Sequence, residues 1–249
     1  MKKFDVIMSL GADCACAMYM KKHVMRTFSS PFDWLTHADF ETRMNLILND
    51  FENFLNFNDL RFLEKDLNVF NDEACDYYEN IRNGFFYYHD FKKDVPLEES
   101  FAEVELKYKR RIDRFLRVLN SNKKILLIYL THYRINNDEL IVKYCKKLCE
   151  KFSSELHFLI IENNLDMEVG RICEVSLAEN IYKYNLHTSA TSNEQNMTLG
   201  QEKYINEIFN NFALKNPFFK IKKNIVKFIC AFIPSRNIRK KIKKITKVD

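Results

Sequence analysis

The spacing of apolar and polar residues changes along the chain, and each change predicts an element. Residues 4–10 (Phe-Asp-Val-Ile-Met-Ser-Leu) predict a short buried strand, Gly11-Ala12-Asp13 a turn, and Cys14–His23 a helix with Asp13 as its N-cap. Residues 26–35 predict a loop, because Pro31 pushes Ser30 to an extended conformation. Apolar residues at helical spacing in FETRMNLILNDFENFL make 36–80 mostly helical, and GFFYYHDF (84–91) predicts an aromatic strand. Residues 98–119 predict a long helix, acidic at its start and basic toward its end, as the helix dipole favours. Lys124–Leu130 (KILLIYL) and Glu155–Glu162 (ELHFLIIE) are continuous apolar runs of the kind buried on both faces, with a helix between them over Asp138–Phe152. A weaker strand follows at 180–186 and a closing helix at 199–213. Parallel strands joined by helical crossovers give an α/β domain over residues 1–214, with a central, mostly parallel sheet flanked by helices.

Composition narrows the function. The chain has only four glycines (Gly11, Gly84, Gly170 and Gly200), too scattered for a Rossmann or P-loop fingerprint. The net charge of +5 hides an asymmetry: Lys215–Asp249 holds twelve Lys or Arg and one acid, so the first 214 residues are net −6. Phe218, Ile221, Ile225, Phe228, Ile229 and Phe232 fall on one helical face of that tail. A basic amphipathic helix of this kind can lie on an anionic membrane surface or dock on the body; the acidic body argues against nucleic acid. Seven cysteines, an odd number, with no signal peptide at MKKFDVIMSLGADC, point to free thiols in a reducing cytoplasm. No run of 18 apolar residues predicts a spanning helix, so the expected location is cytoplasmic, peripheral at the inner face of the cell membrane.

Cys14 stands where a parallel strand gives way to a helix, the edge at which α/β sites gather. In the first helical turn, free backbone N–H groups and the dipole stabilise a thiolate and can receive an oxyanion. The competing reading makes Cys14 and Cys16 small apolar fillers. His89 ends the aromatic strand and can serve as general base, or as a structural histidine. Neighbours on a strand face opposite ways, so Asp90 orients His89 only if the strand has ended; Asp13 or Asp33 can supply the carboxylate instead. Trp34, the only tryptophan, can stack on a sugar or anchor its loop. His132 and Arg134 follow the KILLIYL strand at its carboxyl edge, where substrate anions are met, and His187 opens a polar loop. Cys145 and Cys149 are i and i+4, with no second pair at metal-site spacing, so no metal or cofactor is called for.

Ser9-Leu10-Gly11-x-x-Cys14-x-x-Ala17, with Arg26 and Ser30-Pro31-Phe32-Asp33-Trp34-Leu35, resembles the N-terminal signature of the bacterial domain of unknown function 1796 family, described as papain-like cysteine peptidases. Phe86-x-x-His89-Asp90-Phe91 and Lys107-Tyr108-x-x-Arg111-Ile112-x-Arg114-Phe115 are similar to its middle block. The resemblance covers most of 4–215 and implies Cys14 as nucleophile and His89 as base. The strand–nucleophile–helix order also looks like that of SGNH-type hydrolases. Phe232-Ile233-Pro234-Ser235-Arg236-x-x-Arg239-Lys240-Lys241 resembles the ends of bacterial capsule and lipooligosaccharide biosynthesis proteins, which implies a setting near lipid-linked glycans. The expectation is a cysteine-dependent hydrolase or acyl-type transferase: Cys14, His89 and Asp33 or Asp90 act, and Asp13, Trp34, His132 and Arg134 bind substrate. Two alternatives stay open: a glycan-modifying or glycosyl-transferring enzyme acting through Asp13, Asp33 and Asp90, and a non-catalytic membrane-surface module.

Overall fold

The computed structural model describes residues 1–63, 75–132, 134–187 and 202–216, together with Cys230, Phe232, Ile233, Ser235 and Ile238. The tail expectation for 215–249, and its resemblance to glycan-assembly proteins, lie almost wholly outside the described residues. The first apolar block divides at Asp5 into β1 (Lys2–Phe4) and β2 (Val6–Ala12). Helix α1 (Cys14–Lys22) starts where predicted, because the Asp13 carboxylate accepts the Ala15 N–H at 2.7 Å. There follow β3 (Leu35–His37), α2 (Phe40–Leu48), a 3-10 turn at Phe57–Asp59, β4 (Leu60–Leu63), β5 (Cys75–Asn80) and β6 (Phe85–Lys92). Helix α3 (Leu97–Leu119), β7 (Lys124–Thr131), α4 (Asp138–Lys151), β8 (Glu155–Asn163), β9 (Ile172–Ala178), β10 (Ile181–Leu186), α5 (Glu202–Phe209) and β11 (Phe212–Leu214) complete the order.

The central sheet runs β2-β7-β8-β10-β9. Its first four strands are parallel and β9 is an antiparallel edge, so the sheet is mostly parallel, as expected. Both faces are covered. Side chains of α2, α3 and α4 bury one face against Val6, Met8, Leu127 and Phe158, while α1 and α5 bury the other against Ile7, Leu126, Ile128 and Leu159. A continuous apolar run such as KILLIYL suits this double burial.

Three expectations need correction. Residues 36–80 are not mostly helical: α2 ends at Asn49, and Asp50, Phe51 and Asn53 take positive φ (50°, 62° and 55°), which breaks the ladder. Beyond them β3, β6, β5 and β4 form a second, antiparallel sheet in that order. Strand β9 escaped notice because it is an edge with largely exposed side chains and no apolar period. The closing helix stops at Phe209, and β11 pairs in parallel with β1.

Candidate active site

Strand β2 delivers the site, and its last residues are shaped by contacts that the signature residues make with one another. The β2–β7 register shifts between Ser9 and Gly11, leaving a bulge at Leu10. Gly11, at φ +95°, donates its N–H to Ser9 Oγ at 3.1 Å, while Ser30 Oγ donates to Ser9 O at 2.6 Å. Asp33 Oδ2 accepts the Ser30 N–H (3.0 Å) and Arg26 Nε and Nη2 (2.9 and 2.5 Å). The Ser-Leu-Gly and Ser-Pro-Phe-Asp segments are thus bolted together before Cys14 is reached.

Arg43 of α2 holds this strand end from below. It is fully buried and donates to Leu10 O, Ala12 O, Leu35 O and Ala38 O at 2.9, 2.7, 3.2 and 3.0 Å. Its guanidinium lies 4.8 Å from the Phe85 ring centre and 5.5 Å from that of Phe32. A Cβ at Gly11 would come within 2.8 Å of Arg43 Cζ, so the glycine is needed both for φ and for room. Sequence reasoning missed Arg43. Its signal was a charge on the apolar Phe40-Met44-Ile47 face of α2.

Cys14 is the first residue of α1 and has no exposed surface. The thiolate stabilisation expected of a helix N-terminus is overridden. Burial, then the negative charges of Asp13, Asp90 and Asp33, push the thiol up to about 12, against a smaller downward pull from its own backbone N–H. Cys16, the alternative thiol, is a packed filler: its Sγ–H donates to Ile128 O of β7 at 3.4 Å, and burial also raises it to about 12.

Each of those three carboxylates has its own cationic or imidazole partner. Asp13 Oδ2 lies 2.6 Å from His132 Nε2. Asp13 and His132 are the first residues beyond the ends of β2 and β7, which run side by side in parallel, with Ala12 opposite Leu130. Burial lowers the His132 pKa, but the Asp13 hydrogen bond and charge outweigh it and the net shift is upward. Asp33 pairs with Arg26; burial raises its pKa and the Arg26 charge opposes the rise. Asp90 bonds Lys107 and accepts Tyr108 Oη–H at 2.7 Å, both from α3.

His89 meets the half-buried Trp34 edge-on, with ring centres 5.9 Å apart, and Arg26 Cζ lies 5.8 Å from the Trp34 ring centre. The structure therefore brings Asp13, Asp33 and Asp90 within electrostatic reach of Cys14, with His132 joined through Asp13, while His89 meets Trp34, which lies near the Arg26 partner of Asp33. Two placements differ from expectation. Asp90 does not turn to His89, because both its oxygens go to α3. Arg134 pairs with Asp166 at 2.9 Å on the surface, tying the loops after β7 and β8. Among the described residues no group of three His, Cys, Asp or Glu could hold a metal. His23, His37 and His157 pack against Phe209, Phe86 and Phe4 in structural roles, and His187 Nδ1 bonds Met167 O.

The protein is thus an α/β protein in which a buried cysteine opens a helix at the carboxyl end of a parallel strand, near three paired carboxylates. The chain belongs to the family described as "Putative papain-like cysteine peptidase (DUF1796)", which matches residues 5–166. It is also similar to "Uncharacterized protein R408" of Acanthamoeba polyphaga mimivirus, at 28% identity over 139 residues. That match takes in 51% of this chain and 62% of the viral protein, so the chain spans less than two thirds of that relative's length. No solved structure matches. Membership suggests an enzyme.

Proposed function

We propose that this protein is a cysteine-dependent hydrolase or acyl transferase with Cys14 as its nucleophile. The observation that carries the reading is the position of Cys14 at the β2–α1 junction, within reach of the charges of Asp13, Asp33 and Asp90. With the thiol neutral at rest, its proton leaves as the sulfur attacks rather than beforehand. Cys14 Sγ bonds to the carbonyl carbon, the carbonyl electron pair moves to oxygen, and His89 takes the thiol proton. The Cys14 and Cys16 N–H groups, which a helix cannot satisfy internally, receive the oxyanion; Ala15 N–H is already taken by Asp13. Collapse expels the leaving group, which takes the proton from His89, and water or a second acceptor cleaves the thioester and restores the thiol. Asp90 is committed to Lys107 and Tyr108 and Asp33 Oδ2 to Arg26 and Ser30, so we assign the orienting of His89 to Asp33 Oδ1, which has no hydrogen-bond partner among the described residues.

A pocket of about 180 Å³ between β6 and α3, lined by Asp90, Lys92, Glu99, Ser100, Glu103 and Lys107, touches the proposed site through Asp90. Among the described residues no helix is long and apolar enough to cross a membrane. The proposed setting, an anionic membrane surface met by the 215–249 tail near lipid-linked surface glycans, rests on that segment's sequence alone. The test is a panel of peptide anilides, esters and thioesters, read by turnover and by the intact mass of a Cys14 adduct. Wild type should form the adduct and Cys14→Ala should lose both signals. Undiminished turnover in Cys14→Ala would refute the reading.

A further inference from the structure

Once the site's charges are paired off, one cation is left over. Arg26 answers Asp33, Lys107 answers Asp90 and His132 answers Asp13. Arg111 lies one turn beyond Lys107 on α3 and faces the same region: its guanidinium stacks 5.4 Å from the Tyr108 ring centre, and Tyr108 Oη bonds Asp90. Its charge acts on Asp33, and Asp33 in turn acts on Cys14. Yet Arg111 Nη1 is buried and has no hydrogen-bond partner among the described residues. A buried guanidinium N–H without an acceptor is costly, and a cation held in place without a carboxylate of its own is the arrangement that receives an anionic oxygen.

We propose that Arg111 is a substrate-binding residue, the anchor of an oxyanion subsite beside Cys14 that takes a carboxylate or phosphate group of the substrate. The proposal deepens the thiol-site reading and rests on it for the word substrate. Arg111 stands nearer Asp33 than the sulfur in the chain of interactions, so it holds a part of the substrate away from the reacting carbonyl. The substrate then carries a fixed negative group, and a neutral analogue binds poorly. The pairing also explains why an anion can enter a site with three acids: Asp13, Asp33 and Asp90 each already face a cation or an imidazole.

The full-length wild type, Arg111→Gln and Arg111→Lys are unfolded thermally in inorganic phosphate or acetate, each against chloride at equal ionic strength. At an anion concentration ten times its Kd, the wild-type midpoint should rise by about 4 °C. Arg111→Gln should lose that rise, and Arg111→Lys should keep part of it, having the charge without the planar fork. Any anion taken up by the twelve Lys and Arg of 215–249 is common to all three proteins, so the difference between them isolates Arg111. The anion giving the larger Arg111-dependent rise identifies the group as phosphate or carboxylate. Equal rises in wild type and Arg111→Gln with both anions would overturn the subsite. If Arg111→Gln is poorly folded, Arg111→Lys decides: an undiminished rise with both anions overturns the fork, and a reduced one supports it. Cys14→Ala separates the two readings. An Arg111-dependent rise together with undiminished Cys14→Ala turnover keeps the anion subsite and removes the nucleophile.

Discussion

Gly11→Ala tests how Cys14 is held in place. The new methyl would meet two obstacles. At φ +95° an L-residue is strained, at a cost of about 1–2 kcal/mol. Its Cβ would also lie within 2.8 Å of Arg43 Cζ, and that guanidinium is fully buried between Phe32 and Phe85 with nowhere to retreat. Shifting it breaks at least one charged hydrogen bond to Leu10 O or Ala12 O, worth about 1.5–3 kcal/mol. The expected loss is about 3–5 kcal/mol, read as a lower urea midpoint with an unchanged slope. Arg43→Met removes the obstacle and leaves the backbone strain. In that background Gly11→Ala should cost only about 1–2 kcal/mol, giving a coupling of about 2 kcal/mol in the double-mutant cycle. Additivity to within about 0.5 kcal/mol would show that Arg43 does not support Gly11, and the account of the strand end would fall.

Four further outcomes follow from the same contacts. Iodoacetamide at pH 8, read by peptide mass spectrometry, should modify Cys14 far more slowly than the exposed Cys173, with the Cys14 rate still climbing above pH 10. Asp13→Asn removes a negative charge and should lower the Cys14 pKa; an apparent wild-type pKa below about 8.5 contradicts the burial argument. His132 has its pKa raised in the fold, so its bond to Asp13 contributes stability that is full below about pH 6.5 and is lost as pH rises through the higher folded value. His132→Gln should therefore destabilise more at pH 6 than at pH 9, and a pH-independent difference would remove that linkage. Asp33→Asn strips Arg26 of its partner and weakens the bolt to Ser30, at about 2–4 kcal/mol in urea unfolding; a loss below about 0.5 kcal/mol would deny the bolt its role.

How much of this was legible in the sequence depends on the range of the forces involved. Helix α1 was readable because Asp13 caps it locally, and β7 and β8 because burial on both faces leaves an unbroken apolar run. Strands β4 and β5 were not, because their mixed residues become strands only by pairing with one another and with β6. The members of the site could be named from sequence, since Asp13, Cys14 and His132 lie at element ends; His89, expected to end its strand, sits inside β6, which runs on to Lys92. The partners of these members could not be named. That Asp13 meets His132 needs the β2–β7 register, and that Asp90 meets Lys107 and Tyr108 needs the packing of α3 on β6. The direction of the Cys14 shift depended on burial, a property of the finished core that a helix-dipole argument does not contain.

The pairing of β1 with β11 has a consequence for synthesis. Lys2–Phe4 leave the ribosome some two hundred residues ahead of their hydrogen-bonding partners Phe212–Leu214. At about 5–20 residues per second, Phe4 waits on the order of ten to forty seconds for its neighbour. Strand β2 gains β7 at roughly the halfway point, so the Cys14 edge of the sheet can assemble while β1 is still an open, unpaired segment. A nascent chain halted before β11 would carry a nearly complete thiol site with a bare strand beside it. Arrest there exposes Phe4, without its Phe212 partner, as the position where a chaperone or a second nascent chain would take hold.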